Sequence, residues 1–372
     1  MVQKLKENDG VCFLGNFKKG YFDIPGEIAR QWLKLPNQNG KSNSDVLHPL
    51  WNGSDLIRRP KDRWIIDFEA DVTEDEASQY EAPFQHVLEH AKPERNKDQR
   101  QTQRIGWWRH AETKPGMSSA LLGLHRYMVT PCASKHWLFQ WLDAQVLSGQ
   151  TLVVLARHDD TTFGILQSRF HELWSRHLGG AQRDRYRYTL STFESFPFPI
   201  GCTPEDTRPL DEDECDEFVA IPISKFDTKS LQWVPDKARY YMPPLREPDS
   251  PAVRHWMNIA KTASHLNELR DNWLNPPEWV EQLPEVIPEY PDRIIARPGH
   301  EAELKKRTLT NLYDQRPDWL DNAHKNLDKA VAAAYGWADY TEAMSDDEII
   351  KRLLLMNLKG SEKQPNDAVE LK

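Results

Sequence analysis

RHDDTTFGILQSRFHELWSRHLGGAQRDRYRYTLSTFESFPFP, residues 157–199, decides how this chain is read. An apolar run from Leu152 to Ala156 leads into it, and a second, Phe163 to Leu166, follows a polar turn. Runs of this length, rich in Val, Ile and Phe and bounded by turn residues, predict buried strands. Phe170, Leu173 and Trp174 have helical spacing, Gly179-Gly180 breaks that helix, and Tyr186 to Leu190 predicts a third strand. The stretch closes on Phe196-Pro197-Phe198-Pro199, where the prolines can continue neither strand nor helix. Basic residues separate the apolar pieces, among them Arg169, Arg176, Arg183, Arg185 and Arg187. The expectation is a small sheet whose loops carry donors suited to phosphates and guanine edges. The same pattern also describes a solvated basic surface on an ordinary α/β domain.

At 372 residues the chain can hold two or three domains with proper cores. Its formal net charge of −9 excludes a globally basic nucleic-acid binder. A local basic face is still open to it, because exposed charges are screened within about 10 Å at 0.1 M salt. Residues 92–126 supply such a face, with eight Lys or Arg against three acids. Four cysteines (Cys12, Cys132, Cys202, Cys215) form no CxxC pair and predict neither a disulfide framework nor a zinc site. No apolar run approaches 18 residues and the N-terminus has no apolar leader, so a reduced, cytoplasmic protein without a membrane partner is expected.

In chain order, strands are predicted at Val11 to Gly15 and Tyr21 to Ile24, and a helix from Glu27 to Leu35 stopped by Pro36. Gly40-Lys41-Ser42 is no phosphate-binding P-loop, since Leu35 stands where the first glycine is required. Trp51 to Ile57 reads as turn then strand, and Trp64 to Phe68 as strand. Thr73 and Glu76 form a capping box, opening a helix that Pro83 kinks or divides. The basic run from Lys92 to Arg109 with Trp107-Trp108 suits a surface that tracks a nucleic-acid backbone, or else two core tryptophans beneath solvated charges. Leu121 to Thr130 predicts a strand. Leu138 to Leu142 predicts a helix with Lys135 and His136 at its N-terminus, a natural phosphate position.

Two apparent catalytic motifs fail on inspection. His171-Glu172 begins a metalloprotease signature, but Ser175 replaces its second histidine. Asn275-Pro276-Pro277-Glu278 resembles the amine-gripping motif of amino-methyltransferases, but Glu278 replaces the ring that stacks on the flipped base, and a helix stop and restart is expected. Asp159-Asp160 reads as a turn. The segment 201–254 is acidic and proline-rich, which predicts a linker or insertion. Beyond it the chain turns helical. Leu320, Ala323, Leu327, Ala330 and Val331 share one face that ends at Gly336, and Ser345 caps a last helix.

FGILQSRFHELWSRH with RYTLSTFESFPFP resembles the target-recognition region of the MmeI-like (type IIL/IIG) adenine-specific DNA methyltransferases. IIDFEADVTEDEASQYEAPFQHV and WLDNAHKNLDKAVAAAYGW resemble further blocks of the same family, so the likeness runs through nearly the whole chain. It implies an α+β protein: a mixed-sheet target-recognition domain at 1–200, the linker at 201–254, a small C-terminal helical domain at 255–360 and a tail at 361–372. The family's connection after the FPFP block is usually shorter. The resemblance implies double-stranded DNA as partner, with base readout by Arg183, Arg185 and Arg187, since arginine is the commonest bidentate reader of guanine. Arg100, Arg104, Arg109, Lys135 and Arg169 are expected on phosphates. No catalytic residue and no cofactor is expected in these residues. S-adenosylmethionine would belong to a methyltransferase domain or subunit of a restriction-modification, phage-defence system. The chain would be a specificity part working with that partner, a C-terminal fragment of a complete methyltransferase, or a non-DNA scaffold of a defence system.

Overall fold

The first sheet follows from its central strand. β9 (Leu152–Leu155) is buried at every residue, because it lies between two neighbours and is covered on both faces. β1 (Cys12–Leu14), β9, β5 (Arg126–Pro131) and β7 (Gln140–Asp143) form an antiparallel sheet in that order. Alternation along the strands divides two cores. Met128, Val153 and Leu155 face a large one, while Tyr127, Val129, Leu152 and Val154 face a smaller one with Leu56 and Met117. The computed structural model describes residues 2–112, 114–179, 185–207, 219–227, 232–242 and 251–362.

A second sheet runs β2 (Asp23–Pro25), β4 (Arg63–Ile66), β3 (Leu47–Trp51) and β8 (Leu147–Ser148), with β3 and β8 parallel. Its core holds Phe22, Ile24, Leu47 and Trp64, closed by Ala29 of α1 (Gly26–Trp32). α2 (Gly53–Ile57) follows β3. The predicted order at Trp51 to Ile57 is therefore reversed: the strand ends at Trp51, and Asp55 Oδ2 accepts from the Asn52 backbone N–H at 2.9 Å to open a helix. The Thr73 capping box forms as expected, with Glu76 Oε2 accepting from Thr73 N at 2.9 Å. The chain divides there into α3 (Glu74–Ser78) and α4 (Glu81–His90), with Pro83 in the first turn of the second. α5 (Lys92–Arg95), α6 (Gln101–Ile105) and α7 (Pro115–Leu121) lead to β5. The strand expected from Leu121 begins only at Arg126.

Two expectations are corrected here. Phe163 to Leu166 is helix, not strand, within α8 (Asp160–Gln167). Asp159 caps it, accepting from Thr162 N at 2.7 Å while Arg157 Nε donates to its other oxygen at 3.0 Å. α8 is buried from Thr161 to Gln167 because it is enclosed by the sheet, by α11 (Pro251–Leu274) and by α14 (Asp318–Ala334). Leu138 to Leu142, predicted as helix, is extended and enters β7. Buried side chains satisfy its backbone instead: Gln167 Oε1 accepts from Phe139 N at 2.9 Å and Arg270 Nη2 donates to Phe139 O at 2.8 Å. α9 (Arg169–Gly179) fulfils the helical pattern at Phe170, Leu173 and Trp174. β10 (Tyr186–Arg187) is shorter than predicted; it pairs with β6 (Ala133–Ser134), and α10 (Leu190–Glu194) follows.

Within 201–254 the described residues include an antiparallel hairpin, β11 (Val219–Asp227) with β12 (Gln232–Met242). After α11, the tetrapeptide at 275–278 stops the helix and leads into the hairpin β13 (Val280–Leu283) and β14 (Arg293–Ala296), where a helix restart had been expected. Tyr290 between them donates to Leu47 O at 2.6 Å, which ties this region to the second sheet. α12 (Glu301–Leu304), α13 (Leu309–Gln315), α14 and α15 (Asp346–Glu362) complete the chain. Gly336 has φ +73° and ends α14's region as a left-handed residue, as its position predicts.

The C-terminal helices share the large core with residues as early as Cys12. Gly164 is where α8 lets them approach. A Cβ there would stand 2.7 Å from Ile259 Cγ2 and 2.9 Å from Ala263 Cβ. Gly164→Val is therefore expected to destabilise the chain by about 1–3 kcal/mol through overpacking, seen as a lower urea midpoint; an unchanged midpoint would contradict this packing.

Candidate nucleic-acid interface

The two-stranded ribbon of β6 and β10 positions the arginines singled out from the sequence. Tyr186 pairs with Ser134 and Arg187 with Ala133, and Tyr188 N donates to Cys132 O at 3.1 Å. The alternation of a strand places Tyr186 on one face and Arg185 and Arg187 on the other. Tyr186 lies under the Arg176 guanidinium, 4.7 Å from its ring centroid. Arg185 and Arg187 are exposed. Arg183 lies outside the described residues.

Arg185 opens onto a cleft of about 1380 Å³. One side of it is the ribbon with the turn Gly149–Thr151; another is α2 with the residues after it; a third is the segment from Lys305 to Asn311. Seven Lys and Arg line this cleft against one acid, Asp23. Four of the seven are already bound. Lys18 pairs with Asp23, Arg63 with Asp55 at 2.6 Å, and Lys135 with Asp314 at 2.5 Å. Arg59 Nη1 donates to Asn275 Oδ1 at 2.8 Å and to Leu274 O at 3.1 Å. Arg58, Arg185 and Lys305 are exposed, and among the described residues no hydrogen bond or ion pair engages their side chains. A concave wall of one charge focuses its field, so these three are poised for an anionic ligand.

The expected phosphate contacts fall apart into three groups. Lys135 lines the cleft but not at a helix N-terminus, because no helix starts there. Its ammonium and His136 Nε2 share Asp314 Oδ1, at 2.5 and 2.6 Å, and these two hydrogen bonds hold the Asp314 carboxyl below the usual carboxylate range. Arg169 is committed inside the fold: it donates to Met344 O at 2.8 Å and Asp346 Oδ1 at 2.6 Å, fastening the start of α15 to α9. Arg100, Arg104 and Arg109 belong to the α5–α6 region and do not line the cleft. Arg104 Nη1 donates to Asp98 O at 2.6 Å, and Arg109 to Ala70 O. Trp107 and Trp108 are buried in the core of the second sheet, with Trp108 Nε1 donating to Val72 O at 3.0 Å, so the aromatic half of that basic run is packing.

Sequence reasoning missed Arg58, Arg59, Arg63 and Lys305. The run IRRPKDRW at 57–64 carried the signal for the first three. Lys305 had none, because only the tertiary fold brings it into the same cleft as α2. Asn275 Oδ1 is occupied by Arg59 and Glu278 is exposed, so the residues at 275–278 do not fit a methyl-transfer site. His171 is fully buried, and Glu172 pairs with Arg176 at 2.7 Å. Among the described residues no group of three or more His, Cys, Asp or Glu could hold a metal ion, and no helix is long and apolar enough to cross a membrane.

Residues 29–200 match the family model described as the target recognition domain of MmeI. The fold as a whole is similar to a solved structure of the Type IIL restriction-modification enzyme MmeI in complex with DNA, with TM-score 0.57 and 17% identity over 95% of this chain. The chain spans 36% of the length of that enzyme. No curated protein matches it.

Proposed function

We propose that this chain recognises a specific sequence in double-stranded DNA for a restriction-modification enzyme with adenine-N6 methyltransferase activity. The observation that carries the reading is the basic cleft, beside which residues 29–200 match the MmeI target recognition domain. The cleft receives the duplex, and Arg185 and Arg187 on the outward face of the ribbon read base edges in the major groove. Lys135 exchanges the Asp314 carboxylate for a phosphate. Arg169, Arg104 and Arg109 hold the scaffold through their carbonyl and carboxylate partners. Methyl transfer and S-adenosylmethionine belong to a methyltransferase domain or subunit that works with this one.

Arg185→Ala is the test of the assignment. It is expected to cost about 1–3 kcal/mol on the preferred duplex and much less on unrelated duplexes, because a bidentate base contact is lost. Lys135→Ala should weaken all duplexes alike, since a phosphate carries no sequence information. Fluorescence-anisotropy titrations of both variants on preferred and scrambled duplexes distinguish the two roles. Identical losses on both duplexes for both variants would contradict the division.

A further inference from the structure

We infer that the duplex is gripped by a phosphate clamp formed by Arg58 and Lys305, so that one wall of the interface comes from outside the matched recognition domain. The inference rests on the DNA reading above and assigns residues that the family match over 29–200 leaves unassigned.

The two cations flank one seam. Thr310 Oγ1 of α13 donates to Ile57 O at 3.0 Å, the last residue of α2, and Arg58 follows directly in the chain. Lys305 follows α12 and precedes α13, in the segment that leads to Thr310. Both side chains line the cleft that holds Arg185. The seam itself is fixed, since Arg59, next to Arg58, is anchored to Leu274 O and Asn275 at the end of α11. The position of Arg58 is thus set by its anchored neighbour rather than, among the described residues, by a partner of its own.

The neighbouring cavity of about 410 Å³ shares Arg58, Arg59 and Arg63 with the cleft. There Arg30 is bound by Asp62 at 2.7 Å and Glu285 at 2.8 Å, so the charge is neutralised inside the fold. In the basic cleft Arg63, Lys18 and Lys135 are neutralised in the same manner, while Arg58 and Lys305 are not. A fold that pairs its cations nearby and, among the described residues, leaves these two exposed ones bare beside a reader arginine is arranged for the two-stranded polyanion that the reader addresses. Their contribution is electrostatic and independent of sequence.

The experiment uses the full 372-residue chain and a labelled duplex of random sequence, titrated over a series of salt concentrations. Arg58→Gln and Lys305→Gln are each expected to reduce the slope of log affinity against log salt by about 0.9, and the double variant by about twice that. Lys351→Gln, an exposed cation on α15, should leave the slope unchanged. Because neither clamp residue is buried, the variants should keep the wild-type thermal transition. A Lys305→Gln slope equal to wild type overturns the clamp while leaving the DNA reading intact, and so does a change in sequence preference at unchanged slope. A wild-type chain that binds no duplex overturns both.

Discussion

Arg270→Ala lowers the stability of the chain by about 3–5 kcal/mol, the combined order of a vacated core site and a stranded buried acceptor. Arg270 lies on α11 with no exposed surface. Its Nη2 donates to Phe139 O at 2.8 Å and Gln140 Oε1 at 2.7 Å. Gln167 Oε1 takes Phe139 N at 2.9 Å, and Gln167 Nε2 reaches Trp137 O at 3.2 Å. Residues 137–139 are thereby held extended by side chains from α8 and α11, ahead of the ladder that begins at Gln140. This segment connects β6 of the arginine ribbon to β7, so the substitution should also weaken duplex binding. Urea unfolding measures the loss. A change below about 1 kcal/mol, within the usual range for surface substitutions, would show that the buried guanidinium has a substitute.

Acidification is expected to destabilise the chain well above the carboxylate range. His171 and His324 are buried, and desolvation pushes each imidazole down to about 3. His324 Nε2 is hydrogen-bonded to Tyr313 Oη at 2.9 Å and packs near Arg316 and Arg270, which also oppose its protonation. A folded-state pKa below the unfolded value of about 6.5 means stability present above that pH and lost as pH falls, by about 1.4 kcal/mol per pH unit for each group. Asp328 runs the other way. Burial raises it to about 7, so its contribution is full below about pH 4 and is lost as pH rises toward 7. Between about pH 6.5 and 4 the losses at His171 and His324 exceed the gain at Asp328 by on the order of 3 kcal/mol, and His158, which burial lowers to about 4, adds to the loss. His324→Gln should flatten this acid limb, and Asp328→Asn, which removes the opposing gain, should steepen it. Urea midpoints followed across that range decide it: a midpoint independent of pH would contradict the buried neutral histidines.

Local signals in the sequence were legible where local physics decides the structure. The Thr73 capping box, the amphipathic face of α14 and its glycine end, and the stop at Asn275-Pro276 all depend on near neighbours, and all appear where expected. Phe163 to Leu166 did not, because a short run that is apolar all round suits a buried strand and a buried helix equally. What decided it was Asp159, which caps α8, together with Gly164, which admits α11. Leu138 to Leu142 likewise depended on Arg270, more than a hundred residues away. At the candidate interface, the ribbon arginines could be picked out because they sit in a recognisable block. Lys135, expected at a helix start, lines the cleft where no helix begins and pairs with Asp314, and Arg169, expected on a phosphate, is paired with Asp346. Which cations are spent inside the fold and which are left bare is a property of tertiary pairing, and no local pattern encodes it.

Selection of the purified chain on a randomised duplex pool, at a low and a moderate salt concentration, addresses sequence recognition most directly. The account predicts salt-sensitive retention at both and one enriched motif at the higher salt, with Arg185→Ala losing preference at one position of that motif. Retention of no duplex at either salt would contradict a DNA-recognition role for this chain, and retention without any motif would contradict readout by its own arginines.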